Sequence, residues 1–149
     1  MPLFAYGTLR DPDVCLAVLG HRLEPAQLAA ALAPGCRVVT FPGRSYPGLV
    51  RAAGAVAEGT LISGLTAADL ALLDRFEGDE YRRQAIELIV TGTPATADVY
   101  WPARLIPDTA ADWRLETWVA RHKTAFLAAE AGSIAQQRQP PAARADERR

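Results

Sequence analysis

The sequence predicts an α+β fold. Apolar segments of strand length outnumber helical ones, and the two kinds are not regularly interleaved. The clearest helix is 67–76, where Leu70, Leu73 and Phe76 recur at three-residue spacing. The clearest strand is 81–90, where Ile86, Leu88 and Val90 alternate with polar neighbours.

The elements follow in chain order. Residues 2–6 read as a short apolar strand closed by Gly7. Asp11-Pro12-Asp13 reads as a helix start with proline in the first turn, and Gly20 as its stop. Residues 26–33 and 36–41 read as two strands parted by Pro34-Gly35, and 41–48, rich in proline and glycine, as a loop. Residues 55–62 form a strand in which Gly59 marks a close backbone approach. Thr66, three residues before Asp69, caps the 67–76 helix, and Gly78 ends it. Gly92-Thr93-Pro94 reads as a turn and 97–101 as the last strand, ended by Pro102. Asp112 is the expected cap of a single final helix carrying Leu115, Trp118, Val119, His122 and Phe126 on one face. Domain 1–132 is thereby separated from a tail, 133–149, too polar to offset its ordering entropy and expected to be disordered.

Composition narrows the function classes. The chain has 149 residues, half of them hydrophobic, which suits one domain with a full core. Its formal net charge is −1 and no basic stripe precedes the tail, which argues against a nucleic-acid partner. No apolar run is long enough for a membrane span, and residues 1–4 lack a signal-peptide pattern, so a cytoplasmic location is expected. Cys15 and Cys36 do not make a disulfide framework. With His21 or His122 they would form a nucleophilic pair only through the fold, and no His/Cys cluster suggests a metal.

Two separated motifs carry the chemistry. Tyr6-Gly7-Thr8-Leu9 follows the first strand, and successive N–H groups in such a glycine turn can form an anion-binding concavity; an ordinary strand-ending turn has the same sequence. Glu77 follows Phe76 at a helix end. A desolvated carboxylate beside an aromatic ring has its pKa raised into the range useful for a general base; a solvated helix-end glutamate is the alternative. Asp74, Asp79 and Glu80 are its rivals, the last two read as wet turn residues. Tyr81 and Arg83 share a strand face, and either can point at the site; packing for Tyr81 and an ion pair for Arg83 are the alternatives. Tyr46-Pro47-Gly48 is a rigid segment suited to wall a pocket, with Arg44 and Ser45 beside it. Trp101, Trp113 and Trp118 read as packing residues.

The order Phe4-Ala5-Tyr6-Gly7-Thr8-Leu9, Tyr46-Pro47-Gly48-Leu49, Glu58-Gly59-Thr60-Leu61 and Leu73-Asp74-Arg75-Phe76-Glu77-Gly78, with Tyr81 and Arg83 following, resembles the γ-glutamylcyclotransferase-like family. The resemblance spans roughly residues 3–101. It implies a small mixed barrel-like sheet flanked by helices, and a cavity in which Tyr6, Gly7, Thr8 and Leu9 hold the γ-glutamyl group. It implies Glu77 as general acid/base, with Tyr81 and Arg83 at the substrate, and needs no metal or cofactor. The implied reaction closes the substrate's α-amine onto its own γ-carbonyl, releasing 5-oxoproline and an amine or amino acid. A non-catalytic small-molecule binder using the same cavity, and a cysteine hydrolase using Cys15 or Cys36, are the competing readings.

Overall fold

The computed structural model describes residues 1–137. Five strands close into a barrel in the order β1-β3-β2-β4-β5: β1 (Leu3–Ala5), β2 (Leu28–Thr40), β3 (Pro47–Ile62), β4 (Tyr81–Val90) and β5 (Thr93–Pro102). All neighbours pair antiparallel except β5 with β1, which meet in parallel through Leu3 and Asp98, so the barrel is mixed. Four helices, α1 (Pro12–Leu19), α2 (Ala67–Glu77), α3 (Leu115–Arg121) and α4 (Lys123–Gln137), flank it.

Period-two alternation along β1 assigns its side chains to two cores. Phe4 joins Ala33, Cys36, Leu49, Leu88 and Val99 inside the barrel. Leu3 and Ala5 point the other way, onto Val14 and Val18 of α1, Leu73 of α2 and Trp118 of α3. Alanines at 31, 33, 57 and 97 line the barrel interior, where the small bore leaves no room for larger side chains on every strand. A smaller cluster of Val39, Phe41 and Ile106 fills one end.

The helix signals act as expected. The Asp11 carboxylate accepts from the N–H groups of Asp13 and Val14 (2.9 and 3.2 Å) and caps α1, which ends at Gly20. Thr66 and Asp69 form a reciprocal capping box on α2. Lys123 at the start of α4 reaches Asp11 and Asp13 (3.0 and 2.8 Å), fastening the last helix to the first.

Four expectations are corrected. Pro34-Gly35 is not a turn between two strands but an irregularity inside continuous β2, where pairing jumps from Pro34–Val56 to Cys36–Arg51. The 41–48 loop is shorter and β3 longer than expected, because the segment Ala52-Ala53-Gly54-Ala55 hides the strand period. The turn between β4 and β5 is Thr91-Gly92, both at positive φ, with Thr93 already paired to Val90 and Pro94 within the strand. The final helix is two helices broken at His122, and Asp112 caps neither: its carboxylate takes the Arg37 guanidinium at 2.6 Å. α4 continues to Gln137, past the expected start of the tail at 133; the remainder of that segment lies outside the described residues. Among the described residues no helix is long and apolar enough to cross a membrane.

Gly59 is where β3 passes β1. A Cβ there would lie 2.5 Å from both the Ala5 carbonyl oxygen and Phe4 Cε1. Gly59→Ala should therefore destabilise the fold by about 1–3 kcal/mol, read as a lower midpoint in urea denaturation; an unchanged midpoint would show that β1 has room to move.

Candidate functional site

β1 delivers the Tyr6–Leu9 turn to the barrel rim. Gly7 sits against the segment that starts β3: a Cβ on it would meet Pro47 Cγ at 2.7 Å, so only glycine lets the turn lie this close to the proline ring. Below it the chain tightens into one 3-10 turn. The Gly7 and Thr8 carbonyls accept from the N–H groups of Arg10 and Asp11 at 3.0 Å each. The N–H groups of Gly7, Thr8 and Leu9 enter no such bond among the described residues. The buried Cys15 thiol donates to the Leu9 carbonyl at 3.0 Å and steadies the turn from behind.

A cavity of about 140 Å³ opens beside this turn. Tyr6, Gly7, Thr8 and Leu9 form one side, and Glu77, the last residue of α2, enters from another. Tyr81 and Tyr100 complete the polar part of the wall, while Phe76, Trp118 and Phe126 supply an apolar end. The Phe126 ring packs edge-on against both Phe76 (5.9 Å) and Trp118 (5.4 Å).

Burial pushes the Glu77 carboxyl up to about 8. The residue keeps some accessible surface, but that surface faces the cavity, and no hydrogen bond or ion pair stabilises its charge among the described residues. Desolvation without a partner favours the neutral acid. Its rivals are held the other way. Asp74 is kept low by the Arg83 guanidinium and by the Tyr100 hydroxyl, which donates to it at 2.8 Å. Glu80 is kept low chiefly by the Tyr46 hydroxyl, then by Arg44 and Arg104. Of the two carboxylates on the cavity wall, Glu77 alone is poised near neutrality.

The tyrosines are pinned by backbone. Tyr6 donates to the Tyr100 carbonyl (2.6 Å) and Tyr81 to the Pro47 carbonyl (2.5 Å). Burial raises the pKa of Tyr6, Tyr81 and Tyr100, with the Asp74 carboxylate adding to it at Tyr100, so all three remain neutral donors.

A family model described as gamma-glutamyl cyclotransferase, AIG2-like, matches residues 3–120. The chain belongs to this family. Within it, AIG2-like protein A of Arabidopsis thaliana is 30% identical over 128 residues, covering 84% of this chain and 76% of that protein. AIG2-like protein C of the same plant is 30% identical over 143 residues, covering 94% and 81%. A solution structure of an Arabidopsis thaliana protein superposes with a TM-score of 0.64 at 27% identity, covering 93% of each chain. A solved gamma-glutamyl cyclotransferase shares the fold at 13% identity, with a TM-score of 0.58 and coverage of 69% and 66%.

In this AIG2-like chain the structure brings Tyr6, Gly7, Thr8, Leu9, Glu77 and Tyr81 around one cavity. Arg83 is not on its wall. Its guanidinium takes Asp74 through Nε and Nη2 (2.9 and 3.2 Å) and Asp98 through Nη1 (3.0 Å), tying the end of α2 to β4 and β5. Ser45, Tyr46 and Pro47 line the cavity, whereas Arg44 stands behind Glu80 and Trp101 lies under the Arg51 guanidinium in a different hollow. Neither cysteine reaches the cavity, and burial raises both thiols, Cys15 to about 11, which removes the thiolate a cysteine hydrolase needs. His21 binds Asp69 at 2.8 Å. Sequence reasoning missed Tyr100 and read Glu80 as solvated and Trp118 as mere packing; no periodicity sets these residues apart, because they converge only through the closed barrel and the helix break.

The raised Glu77 acid makes stability pH-dependent with a defined sign. Above the unfolded value near 4.5 the unfolded chain has lost this proton while the native chain keeps it up to about 8. Native stability therefore falls as pH rises through that window, by at most about 1.4 kcal/mol per pH unit. Glu77→Gln should remove this slope, so that the variant gains on the parent protein from pH 5 to pH 9 in urea titrations; parallel curves would show an ordinary carboxylate.

Proposed function

We propose that this protein is a γ-glutamyl cyclotransferase that releases 5-oxoproline and a free amine or amino acid from a γ-glutamyl compound. The observation that supports the reading is an unpartnered Glu77 carboxyl, raised to about 8, lining the same cavity as the Gly7 turn, whose N–H groups enter no backbone hydrogen bond among the described residues.

The described wall of that cavity bears no cationic side chain. A substrate carboxylate or a developing oxyanion there has the turn N–H groups as its donors, an arrangement in which loss of one donor typically costs about 10²–10³ in rate. The substrate ammonium meets Glu77. In the empty cavity Glu77 is mostly protonated at neutral pH; an incoming positive charge lowers its pKa and makes the carboxylate available. Glu77 then accepts one ammonium proton. The freed amine attacks the γ-carbonyl, the new C–N bond closes the five-membered ring, the old C–N amide bond breaks as the proton on Glu77 passes to the leaving nitrogen, and the second proton of the ring nitrogen returns to the Glu77 carboxylate, restoring the neutral acid. The nucleophile is already part of the substrate, and well-oriented intramolecular attack reaches effective molarities of about 10⁵ M or more. Tyr6 and Tyr81 hold the turn and the Pro47 wall in register, and Arg83 acts at a distance by fixing Asp74 and the end of α2.

Incubation with a panel of γ-glutamyl amines and γ-glutamyl amino acids should yield 5-oxoproline from at least one member, and Glu77→Gln should lower that rate by about 10²–10⁴ while leaving the fold intact by circular dichroism. Full turnover by Glu77→Gln removes Glu77 as the base. Saturable binding across the panel with no product identifies a binding protein instead. For the active substrate, kcat/KM should rise as pH increases towards about 8, the value of the free acid; a profile flat from pH 5 to 9 contradicts the assignment.

A further inference from the structure

α4 starts at Lys123, directly after the break at His122. Its first turn carries no acidic residue. Lys123 instead places a positive charge at the positive end of the helix, where cations are disfavoured. Nothing within α4 therefore accounts for a lysine at this position. Its ammonium is engaged on another element: it meets the Asp11 carboxylate at 3.0 Å and the Asp13 carboxylate at 2.8 Å, both at the start of α1. Asp11 is buried and also accepts from the N–H groups of Asp13 and Val14, so a second set of bonds fixes its position. The Arg22 guanidinium lies farther off, 3.9 Å from Asp13.

Phe126 follows Lys123 by three residues, a spacing that puts neighbours on one side of a helix. Where Lys123 is anchored thus sets where Phe126 sits. The Phe126 ring packs edge-on against Phe76, the residue before Glu77, and against Trp118 from the far side of the break. All three rings line the Glu77 cavity. The titratable groups that share this wall with Glu77 come from other elements: Tyr6 from the end of β1, Tyr81 from β4, Tyr100 from β5, and Tyr46 and Glu80 from turns. The described parts of α3 and α4 bring only aromatic surface to it, and Lys123, Asp11 and Asp13 do not line it.

We infer that Lys123 is a positioning residue for the Glu77 cavity: its contact with Asp11 and Asp13 seats α4 so that Phe126 keeps water from the Glu77 carboxyl. It acts through Phe126 and touches no substrate. The inference rests on the reading of Glu77 as the acid of the site, and not on which compound is cleaved. Contact with Lys123 holds the Asp13 carboxyl low, and contact with the two carboxylates raises Lys123, so Lys123 and Asp13 both stay charged from pH 5 to pH 9. Glu130, on α4 itself, is raised by partial burial and is a second acid whose surroundings change with the seating of this helix. Its contribution is separated from that of Glu77 by a Glu77→Gln background.

Urea titrations of the full chain between pH 5 and pH 9 test it, on the parent, Lys123→Met and Lys123→Arg, each with and without Glu77→Gln. The fall in parent stability with rising pH should shrink by about half or more in Lys123→Met. Lys123→Arg, which keeps the charge and can reach both carboxylates, should retain it. In the Glu77→Gln background Lys123→Met should leave the slope unchanged. Asp13→Asn, at a side chain 48% exposed, removes one of the two partners and should shift the slope in the same direction even where Lys123→Met does not fold. With an active substrate, the rise of kcat/KM should be centred lower by about one pH unit in Lys123→Met. Equal slopes in the parent and in Lys123→Met, or in the parent and in Asp13→Asn where Lys123→Met does not fold, overturn the inference. So does a loss of slope that persists in the Glu77→Gln background, or one that Lys123→Arg shares in full. Absence of 5-oxoproline from every panel member overturns the proposed reaction alone, since the stability slopes are read without substrate.

Discussion

β1 is the shortest strand of the barrel and closes it, pairing antiparallel with β3 on one side and parallel with β5 on the other. Its position leaves it no freedom: Phe4 must fill the barrel while Leu3 and Ala5 must face the helices. Burial of such side chains is worth about 1.5–3 kcal/mol each, so the register of β1 is fixed from both faces. The turn that follows inherits that precision. Gly7 can lie against Pro47 only because β1 and β3 are both held, and the same packing fixes the turn whose Gly7, Thr8 and Leu9 N–H groups enter no backbone hydrogen bond among the described residues. A rigid scaffold of this kind is what a preorganised anion site requires.

The electrostatics of the site rest on unequal treatment of three carboxylates close in sequence. Asp74 and Glu80 each have an arginine and a tyrosine hydroxyl. Glu77, between them, has neither. The helix accounts for the difference: Asp74 faces β4 and β5, Glu80 lies in the turn beyond Gly78 near Tyr46, and Glu77 faces the interior. The same arginines that keep its neighbours ionised also keep those charges engaged, so Glu77 feels burial above all.

Much of this was legible in the residues. The caps of α1 and α2, the strand at Tyr81–Val90 and the crowding at Gly59 are local signals, and local chemistry decided them. The Glu77 environment followed from one aromatic neighbour and a helix end. What was not legible depended on residues distant in sequence. Whether Arg83 faces the cavity or pairs with acids is decided by where Asp98 lies on the adjacent strand, which period-two alternation does not reveal. The extent of β3 was masked by alanines and glycine, whose small side chains carry no burial pattern. The helix break at His122 carries no proline or glycine to announce it.

That break has a consequence for the order in which the protein matures. Trp118 and Phe126, on opposite sides of it, close the apolar end of the Glu77 cavity, and they belong to the last described elements to be synthesised. A nascent chain that has completed its barrel but not α4 has the turn and the glutamate in place with one wall open to water. The surroundings that desolvate Glu77 thus come from segments on both sides of the break, and the cavity is closed only once α3 and α4 are both docked on the barrel.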